Sequence, residues 1–362
     1  MMSSPAAEPR YDPDHAVPPG ATLRSTLAAL PMTQTDLATR AGLSLKHINQ
    51  IMQGIAPISQ ETALVFDKVT GVPARVWNRL EANYRERLAR AEDRRALSLN
   101  ASWLDSLPTK ELVRQGVLTK GADKATQLQE ACRFFGVANP ESWERVWREP
   151  LARFRKSQAF KSDAGAVATW LRLGELKAAR IACAPFDPAK FRRVLDRIRL
   201  LTPEAPEDFQ PELAALCADA GVAVVFVPEI KGTRSSGAAR WLTPTRGLIQ
   251  LSLRHKSDDH LWFSFFHEAA HLLLHSKKAT FVTGTAADDV AEEEADLFAA
   301  SFLIPRRYEG ELRTLANTTE ITSFAQRLGI APGIVVGRMQ KEEILDWNQG
   351  NHLKKRFRFV DE

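Results

Sequence analysis

The chain has 362 residues, 44% of them hydrophobic and 26% charged, with a formal net charge of +5 and a pI near 9.1. That length and apolar content allow two or three packed domains, and the mild basicity suits a nucleic-acid partner. Three widely spaced cysteines, Cys132, Cys183 and Cys217, exclude a disulfide-stapled scaffold and read as thiols of a reducing compartment, each expected in an apolar helical setting. With no signal peptide and no apolar run of about twenty residues, the expected location is the cytoplasm.

Residues 1–18 are Pro-rich and polar and read as a disordered tail. From Met32 to Gly54 the pattern is a helix, a turn containing Gly42, and a second helix. Leu37, Ala38, Ala41, Leu43, Ile48 and Ile51 are its expected core, Ser44 is an N-cap, and Gly54 ends the unit. Such pairs lay the second helix in the major groove, with its early residues on base edges. The candidate DNA-facing residues are therefore Ser44, Leu45, Lys46, Asn49 and Gln50, with Gln34 near the backbone; an ordinary helical hairpin is the alternative. The segment resembles the HigA-like antitoxins of the XRE class. Pro19-Gly20, Leu23-Arg24, the run Ile55 to Ala63 and the run Val76 to Tyr84 carry that resemblance over residues 18–92. It implies a five-helix DNA-binding domain that dimerises on double-stranded operator DNA. Residues 21–95 hold 11 Lys/Arg against 7 Asp/Glu, so the phosphate-contact contribution is modest per subunit and useful affinity needs a homodimer.

Residues 96–205 read as a helical connector punctuated by Pro108, Gly136, Pro140, Pro150, Pro185 and Pro188. Trp143, Trp147, Phe154, Trp170 and Leu171 point to packing rather than a loose linker. Arg145, Arg148, Arg153 and Arg155 could touch nucleic acid, although a solvated face is the stronger reading. Val222–Pro228 and Gly247–Leu253 read as strands, with a shorter one at Ala239–Leu242 between them. Strands of this kind beside an active-site helix offer an edge on which an extended peptide can lie.

The chemistry concentrates in His267-Glu268-Ala269-Ala270-His271. Two histidines four apart on a helix sit about 40° apart around its axis, so both imidazoles reach one ion. Ser257, Asp258 and Asp259 supply cap residues and negative charge for that helix, and no Gly or Pro interrupts it through His275. Catalytic zinc takes three protein ligands and leaves a position for water, beside which Glu268 can act as general base. His275 could be a fourth ligand, but a closed site would exclude the water, so it reads as a core or supporting histidine. A third ligand is expected from the run Ala291 to Pro305, where Glu292 and Asp296 share a face. One of these carboxylates can bind the metal while the other orients a ligating imidazole. Glu293 and Glu294 read as surface residues.

The H-E-x-x-H followed by Leu-Leu-Leu-His275, and then Glu-x-x-Ala-Asp296-x-Phe-Ala-Ala-x-Phe-Leu-Ile-Pro305, resembles the ImmA/IrrE zinc metallopeptidases over residues 206–310. The resemblance implies a zincin-like fold with one Zn2+ per chain on His267, His271 and Glu292, Glu268 as the catalytic base and Asp296 behind a ligand. Ala269-Ala270 stands where Leu-Gly is commoner. Arg254, His255 and His260 are candidates for stabilising the oxyanion.

Residues 311–362 are expected to form further helices, with Lys354-Lys-Arg-Phe-Arg358 as a solvated basic terminus. The overall expectation is a mostly α multidomain protein. It comprises a helix-turn-helix domain (19–95), the connector (96–205) and an α+β zincin-like domain with a small sheet (206–310). Its expected partners are operator DNA and a regulatory-protein substrate or cognate toxin, with single-stranded DNA as a candidate activating signal. A non-proteolytic antitoxin-like repressor and a small-molecule zinc hydrolase are the competing readings.

Overall fold

The computed structural model describes residues 17–149, 163–276, 281–282 and 289–359. Most of the expected tail, together with Pro150, Arg153, Phe154 and Arg155, lies outside the described residues. Contacts divide the chain into two compact units, 1–100 and 101–362.

The first unit contains α1 (Pro19–Ala29), α2 (Gln34–Ala41), α3 (Leu45–Met52), α4 (Gln60–Thr70) and α5 (Ala74–Ser98). Its helix ends are specified locally. Thr33 and Asp36 form a reciprocal capping box at α2, and the Ser44 and Ser59 hydroxyls accept from His47 N and Thr62 N at the heads of α3 and α4. Leu23, Leu37, Ile48, Phe66 and Trp77 are fully buried in one core, with Phe66 edge-on to Trp77 at 5.7 Å. Ala41 and Leu43, expected in this core, pack against it only partly buried.

The second unit begins with α6 (Thr109–Arg114), α7 (Lys124–Phe135) and α8 (Pro140–Trp143), followed by α9 (Ala164–Ala178), α10 (Pro188–Leu200) and α11 (Pro206–Asp219). Trp103, Trp143 and Trp147 gather around Phe135, which accounts for the packed character of this region. Next come β1 (Val222–Phe226), β2 (Gly237–Thr243), β3 (Arg246–Leu251), α12 (Asp258–Leu274), β4 (Phe281–Val282) and α13 (Asp289–Leu303). The unit continues with α14 (Glu309–Leu312), α15 (Thr318–Leu328) and α16 (Pro332–Lys341). Sheet order is β1-β3-β2-β4, with β1 parallel to β3 and the other pairs antiparallel. The middle strand β2 spans seven residues, longer than expected, and β4 pairs with its outer edge at Ala238 and Ala239.

Strand alternation divides the packing around β3. Gln250 is fully buried and donates to Trp170 O of α9 at 2.7 Å, while Ile249 and Leu251 enter the core that holds Trp262, Phe265 and Phe266 of α12. That core also takes Phe191 and Ile198 from α10 and Phe324 and Val335 from α15 and α16, so packing runs continuously across residues 205/206 and 310/311.

The basic terminus is solvated only in part: Lys355, Arg356 and Arg358 are exposed as expected, but the segment is docked. Lys354 pairs with Asp259 at 2.7 Å, Asp258 N donates to Lys355 O, and Ser257 forms a β-bridge with Arg356. Phe357 is buried against Phe209 at 5.7 Å. A partner carboxylate at the head of α12 and an apolar slot beneath it make docking of this segment favourable. Cys183 also departs from expectation: Cys132 and Cys217 are buried in helices, but Cys183 lies between α9 and α10 and is only partly buried.

Candidate metal centre and helix-turn-helix

The head of α12 carries the first-turn carboxylates Asp258 and Asp259, and its body is apolar on most sides. Into this buried helix the sequence places His267, Glu268 and His271, whose exposures are 2%, 0% and 1%. Buried polar groups of this kind require partners, and α13 supplies them for the two histidines.

Glu292 reaches both histidines. Its carboxylate oxygens lie 3.3 Å from His267 Nε2 and 3.4 Å from His271 Nε2, and the two Nε2 atoms are 3.0 Å apart. Three donors bound tetrahedrally at about 2.0–2.1 Å from one centre would be separated by about 3.3 Å. The observed edges therefore fit one small divalent cation, and among the described residues this is the cluster of three His, Cys, Asp or Glu ligand atoms that gather within 4.8 Å.

The far nitrogens settle how each ring faces. His267 Nδ1 lies 2.8 Å from Asp296 Oδ1, so it donates to the carboxylate and turns Nε2 toward the cluster. His271 Nδ1 lies 2.9 Å from His275 Nδ1, and His275 Nε2 lies 3.1 Å from Glu294 Oε2. The consistent tautomers have His271 Nδ1–H donating to His275, and His275 Nε2–H donating to Glu294. His275 thus supports His271 from behind. Glu294, expected at the surface without a role, completes that chain; its signal was the helical spacing of His275 after His271, which calls for an acceptor beyond.

Burial would lower the His267 pKa, but hydrogen bonds to Asp296 and Glu292 raise it to about 10. Burial holds His271 below its ordinary value. Burial would also raise Glu292, yet its bonds to the two histidines bring it down to about 2. Two Nε2 atoms at 3.0 Å can share only one proton, which explains the opposite directions for the two rings.

Glu268 lies against Gly237 of β2. A Cβ at residue 237 would sit 2.6 Å from Glu268 Oε1, so only glycine leaves room there, a close-approach role that the sequence reading missed. Arg254, His255 and His260 do not join the cluster. They line a separate small pocket with Ser236 and Ser264, and His260 stacks on His255 at 4.2 Å. His260 precedes His267 by two helical turns, roughly 10 Å along the axis, too far to touch a carbonyl held at the three ligand atoms.

In the first unit, Ser44 caps α3 while Leu45, Lys46 and Asn49 stand exposed on its outward face. Gln50 and Gln34 are partly exposed. Leu45, at 42% exposure, is an apolar side chain that the core does not use.

Residues 217–340 match the family model of the IrrE N-terminal-like domain, Peptidase_M78, and residues 23–77 match that of the helix-turn-helix. The chain carries both domains. The Peptidase_M78 match runs past residue 310 to take in α15 and α16, in keeping with their share of the α12 core. No curated protein matches the chain. A solved structure with some likeness is that of an addiction module antidote protein of the HigA family from Coxiella burnetii. It is 24% identical, covers 23% of this chain and 92% of its own, and has a TM-score of 0.22. No described helix is long and apolar enough to cross a membrane.

Proposed function

We propose that the chain is a DNA-binding regulator whose Peptidase_M78 domain is a zinc-dependent endopeptidase acting on a repressor- or antitoxin-type regulatory protein. The observation that carries this reading is the convergence of His267 Nε2, His271 Nε2 and a Glu292 carboxylate beside a fully buried Glu268. Two imidazoles and one carboxylate are a zinc donor set that keeps a coordination position open. Zinc held there supplies Lewis acidity for a peptide carbonyl and acidifies water. Glu268 takes the proton from the attacking water and returns it to the departing amine. Asp296, and His275 with Glu294, hold the two ligand rings in the tautomers that direct Nε2 inward. Gly237 leaves the space in which the Glu268 carboxylate works.

The helix-turn-helix domain binds double-stranded operator DNA as a homodimer through the Ser44–Gln50 face of α3, with Gln34 near the backbone. A cognate toxin and single-stranded DNA as an activating signal belong to the same reading, which rests there on the sequence resemblance to HigA-like antitoxins and ImmA/IrrE peptidases.

The purified protein should hold about one zinc per chain by elemental analysis, and His267→Ala should lose it. Glu268→Gln keeps shape and metal but removes the base. Wild type and Glu268→Gln are incubated with zinc, single-stranded DNA and the product of the neighbouring gene, and fragments are read by mass spectrometry. Cleavage in wild type alone supports the peptidase, including cleavage between its own two domains. No fragment unique to wild type would make the chain a non-proteolytic, antitoxin-like repressor.

A further inference from the structure

The pocket lined by Ser236, Arg254, His255, Lys256, His260 and Ser264 has no part in the metal centre. It lies beside that centre by construction. Ser264 precedes Glu268 by one helical turn, and Ser236 precedes Gly237, against which Glu268 packs. Its cavity volume is only about 10 Å³, far below cofactor or drug-sized sites, so it takes no more than the polar head of one side chain.

The loop that builds it is held in an unusual backbone. Leu253 and Lys256 are non-glycine residues at φ of 54° and 55°, a conformation that persists only where the surroundings impose it and that clusters at binding sites. Here Lys256 N donates to Leu253 O at 3.0 Å, Arg254 N to Ser252 Oγ at 3.3 Å, and Phe357 N of the C-terminal segment to Lys256 O at 2.9 Å.

The groups that face the pocket set its chemistry. Burial lowers the pKa of both stacked histidines, so at neutral pH each ring offers one N–H and one lone pair. Among the charges, Arg254 donates to Arg234 O and lies 3.7 Å from Glu229, while Asp259 is occupied by Lys354 at 2.7 Å and by the Ser257 hydroxyl. Setting Glu229 against Arg254 leaves Lys256 as the net positive charge of the rim. Hydroxyls and neutral imidazoles inside a cationic rim suit a carboxylate.

We propose that this pocket is a substrate subsite selecting an acidic side chain, Asp or Glu, within about three residues of the scissile bond. An extended peptide rises about 3.3 Å per residue, so the span of roughly 5 to 10 Å from the metal centre to the pocket corresponds to one to three residues. The proposal rests on the peptidase reading, and its test separates the two.

The probe is an alanine hexapeptide carrying one Glu, compared with the same peptide carrying Gln, titrated into full-length, zinc-loaded Glu268→Gln protein. The His255 and His260 ring signals are followed by NMR, a readout independent of cleavage. At least tenfold tighter binding of the Glu peptide is expected, with the difference lost in Arg254→Gln and in Lys256→Gln. Lys256→Gln alone suffices if the Arg254 change unsettles the loop, because the Lys256 side chain is exposed. Equal binding of the two peptides, or a Glu preference that survives Lys256→Gln, overturns the subsite. In parallel, wild type is offered both peptides. Selective binding without cleavage would retain the carboxylate site and remove the peptidase; cleavage indifferent to the Glu would do the reverse.

Discussion

Asp258 carries two opposed demands. As an acidic residue in the first turn of α12 it complements the helix dipole, yet it is 0% exposed and Gly333 of α16 packs directly on its carboxylate. Burial, with the Asp259 charge adding to it, raises its pKa to about 6 despite backbone hydrogen bonds that act the other way. In the unfolded chain an Asp titrates near 3.9. A carboxyl whose folded pKa is raised contributes stability that is complete below about pH 4 and lost as pH rises through 6. A shift of about two pKa units corresponds to roughly 3 kcal/mol lost by pH 8. Asp258→Asn keeps the oxygen that accepts from Asp259 N at 2.9 Å and cannot ionise. It should melt several degrees above wild type at pH 8, by about half as much at pH 5 and close to it near pH 4; a gap equal at all three pH values would show that Asp258 is not the group responsible. Other residue-scale features were legible beforehand because they follow from helical spacing: His267 with His271, and Glu292 with Asp296. Glu294 was not, because it stands exposed on α13 and nothing in its own run of glutamates points to a histidine partner. Its partner His275 lies nineteen residues earlier, in another helix.

At the scale of elements, α12 is fixed by the sheet on one side, by α13 and α16 on others, and by residues 354–357 at its head. The approach of α16 depends on glycine: a Cβ at Gly337 would lie 2.6 Å from Asp259 Oδ2. The H-E-x-x-H helix was plain in the sequence from its caps and apolar surround, as were strands β1 and β3. Strand β2 was read too short because Gly237 and Ala238 have low intrinsic strand preference, and pairing with β3 decides the matter. The C-terminal segment was misread for a related reason. Local composition shows charge, whereas its partners Asp259 and Phe209 belong to distant elements. Because Phe357 is 7% exposed and sits in the α12 core, Phe357→Ala should destabilise the second unit by on the order of 3 kcal/mol. A thermal melt should show a drop of several degrees, together with faster proteolysis of the tail. An unchanged melting curve would mean that the segment does not brace α12.

At the scale of the whole molecule, each unit closes its own hydrophobic core, one centred on Trp77 and Phe66, the other on the α12 aromatics. Sites in separately packed units with no shared partners are expected to respond independently to substitution. Lys46→Ala and Asn49→Ala alter only the exposed face of α3, where a base-edge contact is worth about 1–3 kcal/mol. Each should weaken binding to an operator upstream of the gene by roughly tenfold or more. The two losses should differ in kind. Lys46, if it meets phosphate, should also flatten the salt dependence, whereas Asn49 should relax sequence preference at constant salt slope. Zinc content should be unchanged in both. Reciprocally, Glu268→Gln should bind the operator as wild type does, since its carboxylate is buried between α12 and β2 of the other unit. Gel shifts across a salt series, paired with elemental analysis of the same preparations, test both directions. Affinity indifferent to both α3 changes would remove the DNA-binding assignment of that face. An operator affinity altered by Glu268→Gln would show instead that the metal centre and the helix-turn-helix are energetically coupled.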